Sequence, residues 1–144
     1  MNETGSEMNE IVEGFIFSSK FDEVLLVTSG SYWSPFFETV KKNKSAADTL
    51  CRTISNITNQ NIKLECMRQV CDIINLEKTR IITVFMTVTV ELEKFCNQKD
   101  KWKTRIFRIG SLNLQEHESS LIWKVHLCLD QNVQGMLSRI VYYS

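Results

Sequence analysis

The sequence predicts a single α+β domain, and three observations carry that expectation. Short runs of β-branched and aromatic residues separated by polar turns indicate strands, and a stretch whose apolar residues recur every three or four positions indicates an amphipathic helix. The order of elements, strands then helix then strands then helix, contains no internal repeat, so one core accounts for the chain. With 144 residues, 43% of them hydrophobic and 24% charged, the chain is long enough to bury that core. The balance of 17 Lys+Arg against 17 Asp+Glu excludes a basic nucleic-acid arm or an acidic tail as the dominant feature, so charge-driven binding has to be local. No apolar run approaches the ~18 residues of a membrane-spanning helix.

Residues 1–10 are polar and unpatterned and are expected to form a flexible tail, with the domain occupying 11–144. The apolar runs 14–17 and 24–27 flank the polar segment 18–22, which predicts a hairpin. Residues 29–35, with the only proline, break the pattern. Ala46, Leu50, Ile54 and Ile57 then fall on one helical stripe, with Ser45 placed to cap it, so a helix is expected over 45–58 and the Asn59-Gln60-Asn61 segment ends it. Residues 62–74 are mixed. The densest β-branched run, 80–92, is a long strand; 97–101 is a polar turn; 102–109 alternates apolar and basic residues; and 111–120 is a loop. Residues 121–127 are expected to be a strand, and Val133, Met136, Leu137 and Ile140 place a helix over 132–143.

Cys51, Cys66, Cys71, Cys96 and Cys128 form an odd set without a CxxC pair, and residues 1–7 carry neither a basic nor an apolar stretch, so a reducing cytoplasm or nucleus is expected. Cys66 and Cys71 have only His117 and His126 to complete a zinc site, so buried thiols are expected in place of a metal cluster. The sequons at Asn2 and Asn56 matter only in a secreted protein.

The segment 32–45, with Trp33, Ser34, Pro35 and Val40 in register, preceded by a strand ending Leu25-Leu26-Val27 and followed by a helix containing Arg52, resembles a Nudix hydrolase. The diadenosine tetraphosphate hydrolases are the most similar branch. Gln115-Glu116-His117-Glu118 and the run 121–125 are similar to that family's late Glu-His loop and the strand after it. The resemblance spans residues 11–140 and implies an α/β/α sandwich with a mixed sheet.

The family's box aligned on Arg52 puts Glu38 at the first Gly, Lys44 at the first Glu, Thr53 after the arginine, Ile54 at the aliphatic position, Asn56 and Ile57 at the paired Glu, and Asn59 at the last Gly. Arg52 and Ile54 alone keep the pattern. The reaction the resemblance implies is attack of water on a polyphosphate assisted by Mg²⁺, a hard ion that wants carboxylate oxygens. Thr53 and Asn56 are neutral, Ile57 offers no ligand, and Lys44 adds a cation. The expectation is therefore a Nudix fold without metal, cofactor or catalytic residues. A relocated metal site built from Asp48, Glu38, Glu65, Glu116 and Glu118 would restore hydrolysis of dinucleoside polyphosphates, but Asp48 and Arg52 are more simply an i,i+4 surface pair, worth about 0.2–0.5 kcal/mol.

Two non-catalytic functions remain. A protein-interaction scaffold in a multiprotein, RNA-related complex is the leading one, with Phe36 and Phe37 as an exposed aromatic pair and the apolar end 136–143 as further contact surface. RNA or nucleotide binding is the alternative. Lys41, Lys42, Lys44 and Arg52 form one basic cluster, and Lys99, Lys101, Lys103, Arg105 and Arg108 a second, with Tyr32, Trp33, Trp102 and Phe107 interleaved. A non-catalytic, RNA-binding Nudix subunit of the polyadenylation machinery offers an analogy at the level of fold. Trp33, Lys41, Lys42, Lys44, Arg52, Lys101 and Lys103 are the candidate binding residues. The plainer alternative is a basic outer face that protects an edge strand from pairing.

Overall fold

The computed structural model describes residues 8–97, 101–113, 117, 120–134 and 139–143. Among the described residues seven strands form one mixed sheet: β1 (Asn9–Ser18), β2 (Glu23–Thr28), β3 (Phe36–Thr39), β4 (Arg68–Asn75), β5 (Arg80–Thr89), β6 (Lys103–Arg108) and β7 (Arg139–Tyr143). Their order is β6-β2-β1-β5-β4-β7, and β3 pairs with the first half of β1. β1 runs parallel to β5 from Asn9↔Arg80 to Ser18↔Thr89, and β7 runs parallel to β4; the other pairs are antiparallel.

Helix α1 (Ala46–Thr58) covers one face of the sheet and α2 (Leu121–Gln134) the other. β1 therefore has apolar residues on both faces. Val12 and Ile16 pack with Leu50 and Ile54 of α1, while Phe15 and Phe17 pack with Leu121, Val125 and Cys128 of α2. Gly14 permits the α1 contact, because a Cβ there would lie 2.4 Å from Leu50 Cδ2. The expected capping of α1 is present: the backbone N–H of Asp48 donates to Ser45 Oγ at 3.0 Å.

Several boundaries shift. β1 begins at Asn9, inside the segment expected to be a tail, where its N–H donates to the Thr79 carbonyl at 2.8 Å. The mixed segment 62–74 resolves into a short turn, Leu64–Cys66, and β4, and the long strand ends at Thr89.

The end of the chain corrects two expectations. Residues 121–127 are helical, not extended, because Leu121, Val125 and Cys128 at spacings of four and three bury one helical face against the sheet. Trp123 and His126 face solvent instead. Conversely, Ile140 belongs to a strand, in a run of β-branched and aromatic residues that adds to β4; Met136 and Leu137 lie outside the described residues. Among the described residues no helix is long and apolar enough to cross a membrane.

The five cysteines are free: Cys71 and Cys128 are buried, Cys66 and Cys96 exposed. Burial pushes the Cys128 thiol far above its usual range, with Cys71 and Glu13 adding to the effect. A thiol reagent is accordingly expected to modify Cys66 and Cys96 in the native protein and to reach Cys71 and Cys128 only on unfolding. Labelling of Cys128 in the folded state, read by mass spectrometry, would contradict its position under α2.

Candidate ligand-binding site

The connection between β2 and β3 and the start of β6 build a groove at the edge of the sheet. Val27 and Ser34 exchange backbone hydrogen bonds of 2.9 and 2.8 Å, which closes the connection into a tight loop. Gly30 makes the turn with φ of 133°, a conformation that side-chain-bearing residues rarely adopt. The loop presents Trp33, whose ring meets Phe107 edge-on at 5.1 Å and lies 4.9 Å from the Arg105 guanidinium. Phe107 in turn meets the buried His117 ring at 5.1 Å, and His117 bridges the backbone at Trp33. The indole is thus held from several sides by stacking and cation–π contacts.

Thr28 is paired with Lys103 across the β2–β6 ladder. The resulting groove, about 640 Å³, is lined by Thr28, Ser29, Gly30, Ser31, Trp33, Lys101 and Lys103.

A second, smaller cleft of about 220 Å³ opens beside α1, lined by Val27, Phe37, Glu38, Thr53, Asn56, Ile57 and Trp102. Phe37 and Trp102 form its aromatic wall, with ring centroids 6.0 Å apart and planes at 79°. Thr53, Asn56 and Ile57 reach it together because residues three and four apart share a helical face. Those are three of the box positions at which the resemblance expects metal-binding acids. Among the described residues, Glu38 is the one carboxylate lining this cleft. Two neutral side chains, an aliphatic one and a single acid do not fit a divalent ion that needs several hard oxygen ligands. Among the described residues, no group of three His, Cys, Asp or Glu is positioned to hold a metal. Asn59 ends α1 with φ of 59°, and its N–H donates to the Ser55 carbonyl.

The structure brings Trp33, Lys101 and Lys103 into one groove but leaves the other candidates elsewhere. Lys41, Lys42 and Lys44 are exposed on the β3–α1 connection and Arg52 is exposed on α1, and they line neither opening. Phe36, expected as an exposed contact, is fully buried against Leu50 and Ile54, whereas Phe37 remains 45% exposed. Adjacent residues of a strand point to opposite faces, so the two rings cannot act as one patch. Asp48 Oδ2 accepts from Ser45 Oγ at 3.0 Å, and among the described residues no ion pair joins Asp48 to Arg52. Lys99, Glu116 and Glu118 lie outside the described residues. Arg105, read as part of the second basic cluster but not as a candidate binding residue, does not line the groove but lies against the Trp33 ring that does.

No family model matches this chain, and no curated protein is detectably similar to it in sequence. Solved structures are similar in shape. A NUDIX hydrolase from Nitrosomonas europaea superposes with a TM-score of 0.66 at 9% identity, covering 96% of this chain and 81% of its own. A mutT/nudix family protein from Listeria innocua gives 0.69 at 12% identity over 90% and 97% of the two chains. A structure from work on MutT of Aliivibrio salmonicida and Vibrio cholerae gives 0.60 at 14% identity over 81% and 94%. The chain therefore has a Nudix-like fold, the mixed-sheet sandwich expected from its sequence. Identities this low establish the fold alone.

Proposed function

We propose that this chain is a non-hydrolysing Nudix-fold module that binds a phosphate-bearing nucleotide ligand, RNA or free nucleotide, in the groove between the β2–β3 loop and β6. The observation that carries this reading is the convergence there of Trp33 with Lys101 and Lys103, which are distant from it in sequence. Two ammonium groups attract phosphate as point charges, and an indole offers a stacking surface that any base can use. The cleft beside α1, where Thr53, Asn56 and Ile57 accompany a single carboxylate, Glu38, supports the loss of metal-assisted hydrolysis, including the diadenosine tetraphosphate chemistry of the branch the sequence resembles. The cytoplasm or nucleus is where such a ligand would be met.

The test is binding to single-stranded RNA across a salt series. Wild type is expected to bind with a steep salt dependence, and Lys101→Ala/Lys103→Ala to lose about tenfold in affinity at low salt and about 1.4 from the slope, at ~0.7 per phosphate contact. Unchanged binding by the double variant would overturn the groove as the site. Mg²⁺-dependent hydrolysis of diadenosine tetraphosphate that Asp48→Ala abolishes would overturn the non-hydrolysing part.

A protein-interaction scaffold is the second reading, supported by the exposure of Phe37 beside Trp102. It expects a stable partner on pull-down that Phe37→Ala releases while RNA affinity is unchanged.

A further inference from the structure

Independently of the groove, we propose that the cleft beside α1 receives an arginine side chain of a different protein; this rests on the scaffold reading above and names the partner's chemistry. The two openings are separate. Val27 and Trp102 of the cleft belong to the α1 layer, whereas Trp33 and Phe107 belong to the α2 layer.

The α2 layer shows what two rings set at an angle do in this chain. Trp33 and Phe107, 5.1 Å apart with planes at 64°, hold the Arg105 guanidinium 4.9 and 4.5 Å from their centroids. Phe37 and Trp102 form a comparable pair, 6.0 Å apart at 79°, so one cation can lie within the ~6 Å reach of both rings. Among the described residues no lysine or arginine lines the cleft between them. Lys101 Nζ comes within 5.9 Å of the Trp102 centroid, but Lys101 lines the groove.

The rest of the lining selects by charge and shape. Glu38 is the one charged side chain lining the cleft among the described residues, and it repels phosphates and carboxylates while attracting a cation. Its carboxylate, the Thr53 hydroxyl and the Asn56 amide oxygen are all acceptors. A guanidinium brings five N–H donors and no acceptor, and its flat face stacks on a ring while its edge turns to those oxygens. A lysine ammonium is a compact, strongly hydrated charge that neither stacks flat nor pairs bidentately with a carboxylate.

The size of the cleft points to a side chain and not to a free molecule. At about 220 Å³ it is smaller than the ~300–1,000 Å³ of pockets that enclose drug-sized ligands, so it holds a head group and leaves the remainder outside. Beside it, β3 is laddered to β1 alone among the described residues, which leaves one strand edge to pair with an extended partner segment.

The experiment is a heteronuclear NMR titration of the full-length chain with N-acetyl-arginine methylamide, reading the Trp102 indole and Asn56 amide signals. Saturable shifts are expected, with a Kd of about 1–10 mM for this single side chain. The lysine analogue should bind about threefold more weakly and the uncharged citrulline analogue about tenfold more weakly. Glu38→Gln, with an unchanged melting temperature as the folding control, is expected to weaken the arginine probe about three- to fivefold. Asn56→Asp, which adds a carboxylate, should tighten it about threefold, a gain that a damaged cleft cannot produce.

No saturable shift, citrulline binding as tightly as arginine, or affinity untouched by Glu38→Gln would overturn the cleft as a cation receptor; a partner still released by Phe37→Ala would then leave the scaffold reading standing without arginine. Lysine binding as tightly as arginine would overturn the choice of arginine. Free arginine binding more than about tenfold tighter than the blocked form would make a small metabolite the ligand. Self-association of the wild type that Glu38→Gln abolishes would make a second copy the source of the cation, and either result would overturn a different protein as the partner.

Discussion

Replacing Lys124 with methionine is expected to destabilise the fold by about 3–5 kcal/mol, and adding Glu13→Leu to recover most of that loss. Lys124 sits on α2 and Glu13 on the central strand β1; their side chains are 4% and 9% exposed, and Nζ lies 2.8 Å from Oε1. Taking either charge out of water alone is far costlier than taking out the pair. Methionine keeps the length of the lysine stem but leaves the Glu13 carboxylate buried beneath α2, near enough to Cys128 to raise its thiol further. The double variant removes both desolvation penalties and leaves two side chains of suitable volume. In a chain of this size, about 3 °C of melting temperature follows each kcal/mol, so Lys124→Met should melt roughly 10 °C or more below wild type. Urea denaturation of the two single variants and the double variant measures the coupling. A single-variant loss below about 1 kcal/mol would show that the pair does not hold α2 against the sheet.

Phe36→Ala is expected to lose about 3–5 kcal/mol, and Phe37→Ala less than about 1 kcal/mol. Phe36 is fully buried in the α1 layer, with Val40, Leu50 and Ile54 in the same cluster, so truncation opens a cavity that α1 cannot collapse into. Phe37 faces the cleft and loses chiefly its contact with Trp102. Denaturation midpoints distinguish the two. The same pair of variants separates a binding defect from a folding defect: a partner or ligand lost with Phe37→Ala at unchanged stability is a surface effect, whereas one lost only with Phe36→Ala is not.

The legible parts of the fold were those whose signals are local. Ser45 and the stripe Ala46, Leu50, Ile54 define α1 within a dozen residues, and the 14–17 and 24–27 runs define the β1–β2 hairpin, because capping, helical period and turn chemistry act between near neighbours. The segment at 121 was illegible for a specific reason. Leu121, Trp123, Val125 and Leu127 satisfy the strand period, while Leu121, Val125 and Cys128 satisfy the helical one, so periodicity supports both. Packing on the β1–β5 face selected the helix, which also brought Lys124 over Glu13, a pairing across more than a hundred positions with no local trace.

The site divided the same way. Trp33, Lys101 and Lys103 were identified from residue type, and their neighbourhood came from β2–β6 pairing, which sets Thr28 opposite Lys103. Lys41, Lys42, Lys44 and Arg52 had equal standing by type, but the path of the β3–α1 connection kept the lysines, and the exposed face of α1 kept Arg52, away from both openings. By itself the sequence determined the α+β class, the capped helix α1 and the absence of acids at Thr53, Asn56 and Ile57, because composition, short-range periodicity and ligand chemistry belong to residues and their neighbours. The tertiary structure alone decided the burial of Phe36, the helical state of residues 121–134 and the gathering of Trp33 with Lys101 and Lys103, because each depends on which distant surface a side chain meets, and burial free energy acts only once that surface is present.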